Sequence, residues 1–179
     1  KNKDILILGS GKNLEKIKPF LHTVIKEKKM IVLSINKSLL SLSNIKQFTI
    51  VSHPTKIISH QKKKQTSFKE KKISPMPKIN NNYLFYGMKI SNEKIKFLNN
   101  YCFIPKPLGL FYAIAVANAG KCKSITLAGI DGYKDGDERN FDIDNFFKNY
   151  EKNNFVPIKS ITETKYKIPT ISLFSPNYE

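Results

Sequence analysis

A doubly wound α/β fold with a mostly parallel sheet is what this sequence predicts, and three observations predict it. Short apolar runs alternate with segments of helical periodicity. The opening run ends in a glycine turn and leads through a helix into a second apolar run, the pattern of a βαβ unit. Late in the chain, an alanine-rich helix leads into an apolar strand that breaks into a glycine- and acid-rich loop. In an open α/β sheet the loops leaving the carboxyl ends of strands hold the ligand.

Each element follows from its residues. Ile5 to Leu8 is a fully apolar strand, and Gly9-Ser10-Gly11 turns it. Asn13 to Lys28 places Leu14, Ile17, Leu21, Val24 and Ile25 on one helical face, with Asn13 as the expected cap. Pro19 is awkward in that helix and predicts a kink or a shifted start. Met30 to Ile35 is the second strand, parallel to the first, and Asn36 follows it. Leu39 to Ile45 reads as a short helix, and Phe48 to Ser52 as a third strand ending in His53-Pro54. Gly9–Gly11, Asn36 and His53 are thus three strand exits expected to share a crevice. Residues 56–106 are harder to read and are expected to form an irregular or lid region. Within them Gln61–Gln65 is polar and exposed, Thr66–Ile73 an irregular strand ended by Pro75 and Pro77, Tyr83–Tyr86 a short strand, and Ile90–Tyr101 helical or mixed.

The pattern sharpens at Leu108. Leu108 to Ala119 is apolar on almost all sides, which predicts a buried helix, with Gly120 closing it. Ser124 to Ala128 is the next strand. Phe141 to Tyr150 is an amphipathic helix packing through Phe141, Phe146, Phe147 and Tyr150, and Pro157–Ile161 and Ile168–Leu173 are late strands.

Composition bounds the function. A chain of 179 residues, 40% hydrophobic, suffices for one domain over residues 1–179. No apolar run reaches the roughly 18 residues that would span a bilayer, and no signal-peptide pattern opens the chain. The first residue is Lys1, so a domain or fragment of a longer protein is expected. Two isolated cysteines, Cys102 and Cys122, read as buried thiols of a cytoplasmic protein. The net charge is +17, yet Arg139 is the only arginine among 31 basic residues. Nucleic-acid readers favour arginine for bidentate contacts, so nucleic acid is not an expected partner. Nucleotides, sugar phosphates and an anionic membrane surface are, and a second copy of the chain is a further one.

Site candidates lie at the strand exits. Gly9, Ser10 and Gly11 allow close backbone approach to a phosphate at a helix start, or simply form a tight turn. The third glycine of a dinucleotide fingerprint and the Gly-Lys-Ser/Thr ending of a P-loop are both missing. Asn36 offers hydrogen bonds to a base, ribose or sugar, or forms a turn. His53 is a contact candidate; His22 and His60 carry no signal. Gly129, Asp131, Gly132 and Tyr133 leave the late strand. Asp131 is placed to hold a hydroxyl or to fix the loop as an Asx turn. Tyr133 is placed to stabilise a leaving oxygen, or to pack. Asp135, Asp137 and Glu138 read as a solvated acidic loop, or with Asp131 as a divalent-metal site whose spacing is not that of a calcium loop; no metal ligand is chosen among them and the cofactor is left unassigned. Glu163, Lys165 and Tyr166 are rim candidates.

The opening LILGSGKNLEK and the stretch GLFYAIAVANAGKCKSITLAGIDGY resemble bacterial sialyltransferase-like and motility-accessory-like proteins of surface glycan pathways. The resemblance implies a Rossmann-like domain that binds a CMP-linked sugar or a related nucleotide. Gly9, Ser10, Gly11, Asn36, Gly109 and Gly129 would then stand at the nucleotide, and Tyr133, with Asp131, at the chemistry. Ser10, Lys12 and Leu108 depart from the family pattern, and no histidine follows His60 to act as the acceptor base; Asp142, Asp144 and Glu163 are the carboxylates left for that role. The GSG opening and LAGIDGY segment also resemble the C-terminal domain of aldolase-like surface-polysaccharide proteins, which implies an accessory domain docked on a fused enzyme. A metal-dependent pyrophosphokinase-like enzyme, related to the motility-accessory group, is the third reading.

Overall fold

The computed structural model describes residues 2–37, 45–53, 55–56, 58, 71–77 and 81–174. The expected helix at Leu39–Ile45, the Gln61–Gln65 tract, His60, Pro54 and the start of the Thr66–Ile73 strand lie wholly or mostly outside those residues.

A seven-stranded, all-parallel sheet forms the body, in the order β10-β9-β1-β2-β3-β4-β5. Its members are β1 (Asp4–Leu8), β2 (Ile31–Ile35), β3 (Gln47–Ile50), β4 (Lys71–Ser74), β5 (Tyr83–Phe85), β9 (Ser124–Ala128) and β10 (Ile158–Ser160). A small second sheet, β6-β8-β7, is made by β6 (Gly87–Ile90), β7 (Lys96–Phe97) and β8 (Tyr101–Ile104). The chain also forms helices α1 (Asn13–Glu27), α2 (Gly109–Ala119) and α3 (Glu138–Lys152).

The apolar strands are covered on both faces, which is why they lack polar alternation. Ile5 and Ile7 of β1 join the core under α2 and α3, while Leu6 and Leu8 join the core under α1. Helix α1 buries Leu14, Leu21 and Ile25. Pro19 lies inside it and is exposed; the helix starts at Asn13 and continues past the proline, which lies in its second turn and has no N–H to donate. Helix α2 is buried almost all round because it lies between the main sheet and the small one, whose Cys102 and Ile104 share its core. Phe111 of α2 stacks on Phe146 of α3, with centroids 4.1 Å apart.

Several expectations are corrected. Residues 71–106 supply β4 to β8; β5 falls on the expected Tyr83–Tyr86 strand, while Ile90–Tyr101 holds β7, the last residue of β6 and the first of β8, and no helix. Phe141 is 71% exposed, and Ile143 takes its place in the buried stripe of α3. The Ile168–Leu173 segment makes only an isolated bridge, Thr170 to Ser160. Gly120 does cap α2, but with ordinary helical φ; Lys121 takes the left-handed turn, at φ 54°. Both cysteines are buried and form no disulfide, and burial pushes the thiols up to about 12 (Cys102) and about 11 (Cys122). Among the described residues, no helix is long and apolar enough to cross a membrane.

The chain path defines the important edge. From β1 the strands step outward in sequence order through β5; the chain then returns through α2 to place β9 on the other side of β1. The order reverses between β1 and β9, so their carboxyl ends flank the topological switch point, where open α/β sheets bind ligands.

Candidate functional site

Two glycine loops meet at the switch point. The Gly9 N–H donates to the Ala128 carbonyl at 2.9 Å, and the Gly11 N–H to the Gly129 carbonyl at 2.8 Å. No side chain fits between them: a Cβ at Gly9 would strike the Gly129 carbonyl and the Ile130 side chain. A Cβ at Gly129, where φ is +67°, would lie 2.7 Å from the Gly9 carbonyl oxygen. The glycines therefore serve first to let two backbones touch.

Asp131 follows from this contact. Its Oδ2 accepts the Asn13 N–H at 2.8 Å, and its carboxylate lies where a Cβ on Gly11 would stand. Asp131 thus caps α1 across the sheet, where the N-cap residue Lys12 makes no side-chain cap. A carboxylate is well placed at the positive end of a helix. Asn13, expected as the cap, is instead the first helical residue, and its side chain donates to the Glu163 carbonyl at 3.4 Å. The other Asp131 oxygen, Oδ1, is buried with no hydrogen-bond partner among the described residues.

Tyr133 sits on the outer rim. The Arg139 guanidinium lies 3.8 Å from its ring centroid, a cation–π stack. Asn140 accepts the Tyr133 N–H at 2.9 Å and also accepts from the Tyr166 hydroxyl at 3.1 Å. The Lys165 ammonium donates to the Tyr133 carbonyl at 3.2 Å and pairs with Asp135. The loop acids are engaged in turn. Hydrogen bonds from Arg139 hold the Asp137 carboxyl down at about 2, and the Lys165 hydrogen bond lowers Asp135. Burial raises the Tyr166 hydroxyl to about 12, so it stays a neutral donor. Among the described residues no group of three or more His, Cys, Asp or Glu stands close enough to hold a metal.

These groups border one cavity of about 640 Å³. Of the residues that the sequence singles out, Gly9, Ser10, Gly11, Asn36, Gly109, Gly129, Asp131 and Tyr133 line it. Ile35, Leu110, Ile130 and Ile143 give it apolar walls, and Lys37, Lys56 and Tyr166 add polar ones. Asn36 takes a left-handed turn, at φ 65°, as β2 leaves the sheet. Lys37 was not singled out by the sequence; its one signal was adjacency to Asn36 at a strand exit. Gly109 opens α2 toward the cavity. A Cβ there would come 2.6 Å from Ile35, and the N–H groups of Gly109, Leu110 and Phe111 find no acceptor among the described residues. His53 does not border the cavity; it is exposed, with Nδ1 2.8 Å from the Thr55 hydroxyl. Of the rim candidates, Tyr166 borders it and Glu163 is exposed. A smaller void of about 130 Å³, walled by Ile5, Ile31, Leu33 and Val116, lies at the opposite edge of the sheet and carries no chemistry.

The arrangement can enclose a molecule with an apolar face, donate backbone N–H groups from α2, and accept hydrogen bonds at Asp131. Compared with known proteins, the chain matches no family model, no curated protein and no solved structure.

Proposed function

We propose that this domain binds a nucleotide or nucleotide-sugar in the switch-point cavity, as a cytoplasmic component of bacterial surface-polysaccharide synthesis. The observation that carries the reading is the cavity itself. About 640 Å³ suits a small cofactor or nucleotide, and it opens at the edge where α/β sheets take nucleotides. A CMP-linked sugar is the donor class that the sequence resemblance favours. In a sialyltransferase-like transfer, Tyr133 is the group to steady the departing phosphate. Asp142 is tied to Lys106 at 3.4 Å and Glu163 is exposed. Asp144 keeps a buried oxygen without a partner among the described residues and follows Ile143 of the cavity wall, so it is the carboxylate to test as acceptor base.

Titration calorimetry with CMP, CDP, UDP and GDP, with and without magnesium, tests the reading. Micromolar binding of one nucleotide supports it; a folded sample that binds none overturns it. In a transferase, Tyr133→Phe and Asp144→Asn lower kcat more than they weaken donor binding.

One observation favours a docking role on a fused enzyme. Strand β5 ends the main sheet with Leu84 43% and Phe85 56% exposed, and Ile90 of β6 is 53% exposed. That reading needs no nucleotide, and Phe85→Lys would abolish docking while leaving the cavity intact. The pyrophosphokinase-like reading needs free carboxylates for magnesium, and the loop acids Asp131, Asp135 and Asp137 already have N–H or cationic partners.

A further inference from the structure

The small sheet has two unlike faces. Its register sets Gly87 beside Tyr101, Lys89 beside Phe103, and Lys96 opposite Phe103. Residues so paired share one face, and their chain neighbours share the other. The inner face carries Cys102 and Ile104 into the core against α2. The outer face is left with Lys89, Lys96, Tyr101 and Phe103; both lysines are exposed and both rings partly so. The Lys89 ammonium lies 4.9 Å from the Tyr101 centroid, and that of Lys94 lies 4.6 Å from the Phe103 centroid. Phe85, 56% exposed, continues the face: its ring reaches to 3.6 Å from where a Cβ on Gly87 would stand. Among the described residues none of Lys89, Lys94 and Lys96 pairs with a carboxylate. Glu93 is the one acid between residues 71 and 130. None of these residues borders the cavity.

We propose that this face docks on the anionic surface of a lipid membrane. Charge complementarity selects the partner: three ammonium groups stand around exposed apolar and aromatic side chains, the make-up of an interfacial contact. Lysine stems lie along apolar surface and keep their heads at the level of the lipid phosphates. Protein interfaces deplete lysine and enrich arginine, and the chain's one arginine, Arg139, lies on α3 instead. A single-stranded nucleic acid needs open ring faces on which to stack its bases. Here ammonium groups already lie over Tyr101 and Phe103, and the two rings meet edge to face. The proposal does not rest on the nucleotide reading, and it gives the exposed Phe85 a lipid rather than a protein partner.

The test is flotation of the full chain with vesicles of phosphatidylcholine, alone or with about 30% phosphatidylglycerol. The chain should float with the anionic vesicles only, and about 1 M salt should release it. Because the whole chain is basic, at +17, two triple variants of equal charge are compared. Lys89→Gln/Lys94→Gln/Lys96→Gln should weaken binding about a hundredfold, roughly fivefold per lysine. Lys16→Gln/Lys26→Gln/Lys148→Gln, at exposed positions of α1 and α3, should weaken it far less. Phe85→Ser, again at an exposed position, should weaken it about tenfold. Equal weakening by the two triple variants would show attraction by net charge alone and overturn the docking face. An unaltered chain that ignores the anionic vesicles would overturn it too. If that chain instead bound a single-stranded oligonucleotide through Lys89, Lys94 and Lys96, the face would belong to nucleic acid.

Discussion

Helices α1 and α2 both begin beside a glycine at the same cavity, and their starts are opposite in character. The α1 start is closed: Gly9 and Gly11 are pinned to the β9 exit, and Asp131 supplies the cap. The α2 start is open: Leu108 provides no side-chain cap, the first turn holds no acid, and the leading N–H groups face the cavity region unpaired among the described residues. A glycine before a helix therefore does not by itself identify a phosphate site. What matters is whether the neighbouring strand exit returns a carboxylate to that helix.

The largest expected effect comes from breaking the closed side. Gly9→Ala drives a Cβ into the Gly129 backbone, which has nowhere to yield. Overpacking of this kind costs about 3 kcal/mol, read as a lower denaturation midpoint with unchanged m. A midpoint equal to that of the parent would show that the two loops are not as tightly joined as their hydrogen bonds imply. Asp131→Ala removes the α1 cap and should cost about 1 kcal/mol, read as a lower denaturation midpoint, whereas Asp131→Asn keeps the cap hydrogen bond and should avoid most of that loss. On the open side, Gly109→Ala meets the Cγ2 methyl of Ile35 rather than backbone, so the stability cost should be smaller, about 1 kcal/mol. Its larger effect should be on the cavity, as a drop in nucleotide affinity by calorimetry; unaltered affinity would separate the α2 start from the ligand.

The smallest effect concerns the rim. Asp137 titrates at about 2 when folded, against an ordinary 3.8, because Arg139 hydrogen-bonds its charged form. Its folded value is depressed, so its contribution is present above the ordinary value and fades as pH falls from about 4 toward 2. The group is exposed, so the contribution is small and salt-sensitive. Carboxyl NMR should find the low midpoint, and Arg139→Gln should return it toward the ordinary value. A normal midpoint in the parent would mean that Arg139 stacks on Tyr133 without holding Asp137.

The parts legible in the sequence share a physical cause. Ile5–Leu8 and Ser124–Ala128 are apolar runs with a turn at the exit, and the helix after Leu108 is apolar all round because sheets cover it on both sides. The residues chosen at the exits, Gly9 to Gly11, Asn36 and Gly129 to Tyr133, border one cavity because parallel strands send their carboxyl ends to one edge. Residues 71–106 were legible only in part: Tyr83–Tyr86 reads as the strand that β5 is, and β6 to β8 do not show. Their strands are two to four residues long, with lysines such as Lys71, Lys72, Lys89 and Lys96 interrupting any period. Phe141 misled for a related reason: a helical face was read from aromatic residues alone, and Ile143 completes the i, i+3, i+4, i+7 spacing with Phe146, Phe147 and Tyr150.

The sequence by itself determined the parallel α/β architecture and the edge at which polar and glycine residues collect, since both follow from local periodicity and strand direction. Only the tertiary structure decided which helix start is closed and which is open. That outcome turns on a hydrogen bond between Asp131 and Asn13, residues 118 positions apart, and on the strand order that sets β9 beside β1. No local pattern encodes such a contact, because it exists only once the sheet has assembled.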